Sequence, residues 1–312
     1  MTHHDTRLLA AAQGALLGTL VGDCLGGPFE GAPATTVPKA HQRIERTLAQ
    51  RPLPYSDDTQ LAVALALHVL ENPDVEPARF AEHILREFEP HRGYGAGMRR
   101  LIEEWRQGTP PTEAATAVFP EGSFGNGAAM RVAPLGVRWA GAPERLEEAV
   151  VRSAELTHAH PVGRDGALAQ ARAVALATSR GRFGVDELAV IADGATTAEV
   201  GAGVSDATTL LLDWSGDQTA AVATAGRRLG TEVVAHRSVP TALWAAVAGG
   251  SVDGTLACAL ALGGDTDTIA AMAVAVRGAA DGADALPEEW VAACEGADRV
   301  REIGRRIAEA AG

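Results

Sequence analysis

Residues 55–71 read YSDDTQLAVALALHVLE. The apolar positions Leu61, Val63, Leu65, Leu67, Val69 and Leu70 are too dense for the single stripe of a surface helix. The stretch therefore predicts a helix from Ser56 to about Glu71 that is buried on most faces. The segment opens on Ser56-Asp57-Asp58-Thr59, and the design recurs near the other end of the chain, where Asp265-Thr266-Asp267-Thr268 opens an apolar run to Gly278. Taken singly, either cluster reads as well as a helix cap. Ser, Thr and Asp are preferred at the N-cap, and a carboxylate there gains about 0.3–1 kcal/mol from the helix dipole. Together they put four carboxylates at the ends of helices that must be buried. Unpaired buried carboxylates are costly, so a cation is needed to neutralise them.

The rest of the chain agrees with a helical fold. Alanine makes up 63 of the 312 residues and aromatics only 4%, which favours helices and leaves little to cover a sheet. Further helices are expected at 6–25, 77–88, 95–106, 128–139, 143–157, 165–178, 185–192, 220–229, 239–248, 252–262, 266–278 and 288–310, with a Gly/Pro-rich loop from Gly26 to Pro38. No stretch alternates as a strand, and no low-complexity linker or repeat divides the chain. The expectation is one all-α domain over residues 1–312. The net charge of −13 argues against nucleic acid or an anionic membrane as the main partner. No apolar run is expected to approach the roughly 18–20 residues of a membrane span. Cys24, Cys258 and Cys294 are odd in number and far apart, forming neither a disulfide framework nor a zinc motif. A reducing cytoplasm and a monomer are the matching expectations.

Three loops carry further chemistry. Carboxylate and hydroxyl oxygens without adjacent Cys or His select Mg²⁺, Mn²⁺ or Ca²⁺, and so many carboxylates suit two ions. In Gly22-Asp23-Cys24-Leu25-Gly26-Gly27-Pro28-Phe29-Glu30-Gly31, Glu30 lies on a flexible turn from which it could reach the ions as a ligand or as a base. Asp23, at the C-terminal end of a helix, is read as a hydrogen-bond acceptor for a loop. Gly122-Ser123-Phe124-Gly125-Asn126-Gly127 precedes the helix expected at Ala128, so its N–H groups and that helix's N-terminus could cradle a phosphate; a plain turn is the other reading. Thr157-His158-Ala159-His160-Pro161 places two histidines after a helix, as caps or as ligands.

Five ordered blocks resemble the ADP-ribosylglycohydrolase family, which includes the ADP-ribosyl-acceptor hydrolases and dinitrogenase reductase-activating glycohydrolases. They are GALLGTLVGDCLGGPFEG (14–31), YSDDTQ (55–60), GSFGNGAAMR (122–131), THAHP (157–161), and LWAAV followed by GGDTDTIA within 238–270. The resemblance implies a compact orthogonal bundle of helices with a binuclear Mg²⁺ or Mn²⁺ centre at the base of an ADP-ribose cleft. By matched position it assigns Ser56, Asp57, Asp58, Asp265, Asp267, Thr268 and Glu30 to the metals. Ser56 stands where the family usually has Thr, and the hydroxyl survives. The loop Gly122, Ser123, Phe124, Gly125, Asn126 and Gly127 would hold the diphosphate and distal ribose, Phe119 and Phe124 would flank the adenosine, and His158 would contact the nucleotide.

The implied reaction is hydrolysis at the anomeric carbon of the distal ribose, releasing ADP-ribose from a modified protein or small-molecule acceptor, with Glu30 or Asp265 handling the proton. The wording SDDTQ leans toward arginine-linked acceptors. Two other readings are an O-linked (serine, O-acetyl or poly) ADP-ribose hydrolase on the same site and an ADP-ribose-binding module without turnover.

Overall fold

Glycines 14, 18, 22 and 26 recur every fourth residue along the first helix, and their partners recur the same way on a second one. In the computed structural model, which describes residues 3–311, a Cβ at Gly14, Gly18 or Gly22 would land on the backbone carbonyl of Gly278, Val274 or Ala270, and one at Gly26 would meet Asp267. Backbone thus touches backbone along the whole contact. The described residues form seventeen α-helices and no strand, as the alanine-rich composition predicts. Six of the helices frame the site: α1 (His3–Gly26), α2 (Asp57–Glu71), α3 (Pro161–Arg180), α4 (Ala235–Ala248), α5 (Thr266–Asp281) and α6 (Ala297–Ala311).

The antiparallel pair α1 and α5 packs along most of its length, with α6 laid across α1 and with α3 and α4 against α5. A continuous apolar core runs from Ala12 to Ala308. Every residue of α5 from Thr266 to Ala279 is buried, and α2 is buried from Asp58 to Ala66. This is the outcome their all-round apolar patterns call for. By length and composition one helical stretch, Asp5–Phe29, could cross a membrane, and 78% of its most apolar 18 residues are buried in the molecule. The expectation that no such run exists is thereby corrected. Its apolarity comes from Ala and Gly spread among Leu and Val, which fit the tight packing against α5.

Several predicted boundaries move. The helix expected over 128–139 is a 3₁₀ turn at Asn126–Ala128 followed by a short helix at Ala133–Arg138. The helix expected over 288–310 is broken into Glu288–Val291 and α6, with Gly296 at φ +75° in the turn between them. Three helices were not foreseen. Val37–Leu48 is capped by Thr36, whose hydroxyl accepts from the Lys39 N–H at 3.4 Å; its Val37-Pro38 start reads locally as the end of a loop. Pro111–Val118 spans barely two turns. Ala198–Leu212 is diluted by glycine, serine and threonine, so its period is faint.

Candidate functional site

Five segments far apart in sequence converge where the C-terminal end of α1 meets the N-termini of α2 and α5. The Asp23 carboxylate accepts the Ser56 N–H at 2.9 and 3.0 Å and the Thr59 N–H at 3.0 Å. At the wrong end of its own helix dipole, it is stabilised by the N-terminus of α2, whose free N–H groups need acceptors. The loop partner inferred for Asp23 is therefore a helix end. Ser56 caps α2: its hydroxyl accepts the Asp58 N–H at 3.2 Å and donates to Asp58 Oδ2 at 3.1 Å. Thr268 Oγ1 reaches that same oxygen at 3.4 Å, joining the two acidic clusters. Capping and site building use one set of residues.

The second cluster is seated by two consecutive glycines, Gly263 and Gly264, both at φ +73°, a conformation open to glycine alone at low cost. A Cβ on Gly263 would strike Ala34, and one on Gly264 would strike Thr231. The turn lets Gly31 N–H donate to Gly264 O at 2.8 Å and Gly264 N–H to Ala32 O at 2.9 Å. This bridge carries Glu30 beside α5, so that ligand oxygens of Glu30, Asp265 and Asp267 lie within 4.8 Å of one another. Asn126 Nδ2 donates to Asp265 Oδ2 at 2.6 Å and to Ser238 Oγ at 3.0 Å, which ties the glycine-rich loop to the acidic cluster.

These carboxylates repel one another. Burial pushes the Asp57 carboxyl up to about 7, with Asp23, Asp265 and Glu30 adding to it. Burial, Asp265, Asp23 and Glu30 push Asp267 up to about 8. Asp58 lies well above the carboxylate range through burial and the charge of Asp267. Its Oδ1 is buried without a partner, an acceptor that only a cation or water can satisfy. A set of hard oxygens with an orphaned lone pair fits a hard divalent cation, for which Glu30, Asp265 and Asp267 offer ligand atoms within 4.8 Å of one another.

The titration has a measurable consequence. A carboxyl whose folded pKa exceeds its unfolded value stabilises the protein at low pH and loses that contribution as pH rises through the folded value. Between about pH 4 and 8 the cation-free cluster therefore becomes steadily less favourable, and bound cations relieve it. The rise in Tm on adding Mg²⁺ is expected to grow from pH 5 to pH 8 by roughly 5 °C. A rise that stays flat or shrinks over that window overturns the account of the cluster.

Above the carboxylates opens a cavity of about 390 Å³ lined by Phe119, Ser123, Gly125, Asn126, Gly127 and His158 together with the acidic residues. Gly122 and Phe124 are outside its lining. Gly122, at φ +79°, turns the chain tightly past His160. Phe124 is 49% exposed, its ring edge-on to His160 with centroids 5.6 Å apart. No long helix begins at Ala128, so the phosphate cradle would be the loop itself. That loop is pinned by Asn126 N–H to Val233 O at 2.9 Å and Ala235 N–H to Phe124 O at 3.0 Å.

His158 is held by a relay. Arg131, fully buried, donates to Thr157 Oγ1 at 2.9 Å, and that hydroxyl is hydrogen-bonded to His158 Nδ1 at 2.7 Å. Burial and the Arg131 charge hold the imidazole down to about 3. The ring is neutral and lines the cavity.

One wall escaped the sequence reading: Gly93-Tyr94-Gly95-Ala96-Gly97, whose three glycines line the cavity with Met98. Its alternating glycines were the available signal. Gln60 fixes this wall, accepting from Tyr94 Oη at 2.8 Å and from the Glu89 N–H at 3.0 Å. The Phe119 ring lies so close to Gly97 that no Cβ fits between them.

The sequence model of the ADP-ribosylglycohydrolase family matches residues 4–312. ADP-ribosylhydrolase ARH3 of Homo sapiens is 35% identical over 188 residues, 55% of this chain and 51% of that protein. The ADP-ribosyl-[dinitrogen reductase] glycohydrolase of Rhodospirillum rubrum is 31% identical over 173 residues, 52% of this chain and 56% of its own. Matched segments thus span about half the length of these curated relatives. A solved structure titled ADP-ribosylglycohydrolase-related protein complex superposes with a TM-score of 0.76 at 25% identity, covering 98% of this chain and all of that one.

Proposed function

The chain belongs to the ADP-ribosylglycohydrolase family, and from that premise we propose that it is a hydrolase dependent on two divalent cations, Mg²⁺ or Mn²⁺. It cleaves the glycosidic bond between ADP-ribose and a modified acceptor, as a single-domain monomer of the cytoplasm. The observation that carries the proposal is the meeting of Glu30, Asp265 and Asp267 within 4.8 Å in a cavity also lined by a glycine-rich loop and a neutral histidine.

The diphosphate lies along Ser123–Gly127, with His158 Nε2–H donating to an oxygen of the bound nucleotide. Phe119 offers a flat face to the adenosine, with Phe124 at the rim. Divalent cations, when bound, orient the ribose hydroxyls and make a water more acidic. Asp265 is restrained by Asn126, whereas Glu30 is exposed on its turn. Glu30 is accordingly the group that takes the water proton as the oxygen bonds to the anomeric carbon and the bond to the acceptor breaks, its electrons leaving with the acceptor.

The acceptor is read as arginine. ADP-ribose release from arginine-linked and serine-linked ADP-ribosyl peptides, with Mg²⁺, Mn²⁺ or EDTA, tests this. Cation-dependent release from the arginine peptide is expected. Release from the serine peptide alone replaces that acceptor with the O-linked one. Cation-dependent ADP-ribose binding without release from either leaves a binding module.

A further inference from the structure

A second cavity, of about 320 Å³, opens at the other end of α1 and α3. Its wall includes Arg7 from α1, Thr178 and Ser179 from the last turn of α3, Arg138, and Ala311 at the end of α6. Arg7 and Asp23 are 16 residues apart on α1, so roughly 24 Å of helix separates this cavity from the acidic cluster.

Its polar side chains are all donors. Among the described residues no aspartate or glutamate lines it, in a chain that carries 40 of them against 27 Lys and Arg. Arg138 Nε and Nη1 are buried and have no partner, and neither has Oγ1 of Thr178, a residue only 4% exposed. Arg7 spends one nitrogen on Ser179 O at 2.6 Å, which sets its guanidinium beside the opening. Buried donors without acceptors cost free energy. Two guanidinium groups and a hydroxyl with unspent donors are the complement of an oxoanion, and arginine forks suit phosphate oxygens.

We propose that this cavity is a second ligand site, taking a phosphate group either as inorganic phosphate or as a phosphomonoester, with Arg138, Arg7 and Thr178 as its donors. The apolar wall of Leu8, Val137 and Ala311 accommodates the organic part of an ester. The site stands independently of the hydrolase reading.

The test is titration of the full-length protein, in phosphate-free buffer of constant ionic strength, with inorganic phosphate and separately with phenyl phosphate, following heat release and Tm. Saturable binding is expected. Arg138→Gln weakens it about tenfold, the loss of a charge-assisted hydrogen bond. Arg7→Gln and Thr178→Val each weaken it severalfold, and they decide the matter if Arg138→Gln does not fold. Tighter binding of phenyl phosphate marks the phosphomonoester as the ligand, and equal binding marks free phosphate. Absence of saturable binding overturns the proposal. So does binding that these variants leave unchanged and that Ser123→Ala weakens, because the anion then sits in the nucleotide cleft.

Discussion

Asp267→Asn is expected to lower cation-dependent turnover by roughly 10³-fold or more, and at the same time to raise the stability of the cation-free protein. The first effect follows from removing a charged oxygen from the group formed with Glu30 and Asp265. Loss of about 4 kcal/mol of transition-state stabilisation corresponds to that factor. The second follows from electrostatics. Asp267 is 6% exposed, and its carboxyl is driven up to about 8 by burial and by Asp265, Asp23 and Glu30. A neutral amide of nearly the same shape removes that repulsion, and its Oδ1 can still accept the Thr268 N–H bonded at 2.9 Å. The gain is on the order of 1–3 kcal/mol in EDTA, and added Mg²⁺ no longer stabilises the variant as it does the parent. Opposite signs in the two measurements separate a failed site from a failed fold. A variant that is both inactive and less stable in EDTA contradicts the assignment of Asp267 to a strained cation site.

Gly18→Val should be the most damaging single change outside the site, costing roughly 3–5 kcal/mol. Glycine in a helix is ordinarily a weakness that alanine would repair by about 1 kcal/mol. At Gly18 the added carbon meets the backbone carbonyl of Val274, and neither main chain can move aside, because Gly14 and Gly22 fix the same two helices above and below. Gly27→Ala is the control: nothing lies within 4 Å of its Cβ, and a change below about 0.5 kcal/mol is expected. Denaturant midpoints for the two variants settle it. Equal midpoints mean that α1 and α5 are not in backbone contact.

The parts of the molecule legible in the sequence were those where one residue type has few uses. A run as apolar as Leu61–Leu70 can only be buried, and hard oxygens collected at the ends of two such runs repel one another and call for a cation. The other strongly apolar helices were readable for the same reason, whereas Val37–Leu48, Pro111–Val118 and Ala198–Leu212 were not. What escaped depends on contacts distant in sequence. Nothing in Arg92–Gly97 reveals that Gln60 will hold it as a cavity wall. Phe124 and Phe119 read alike, yet only Phe119 has a facing glycine at residue 97 that draws it into the cavity. The segment after the glycine-rich loop, residues 128–139, reads locally as a helix. The Asn126 side chain, committed to Asp265 and Ser238, instead holds a single tight turn there.

The glycine stripe of α1 also acts as a ruler. Its repeat of four residues corresponds to an axial step of about 6 Å. Sliding or lengthening α1 by one repeat would seat every glycine against a new carbonyl and leave the packing nearly intact. It would also carry Asp23 and Glu30 about 6 Å past α5, more than the 4.8 Å that spans the oxygens of Glu30, Asp265 and Asp267. Insertion of one extra four-residue Gly-x-x-x repeat between Gly14 and Gly22 should therefore give a chain that folds and has lost its cation affinity: in α1, helix length and metal geometry are one inherited dimension.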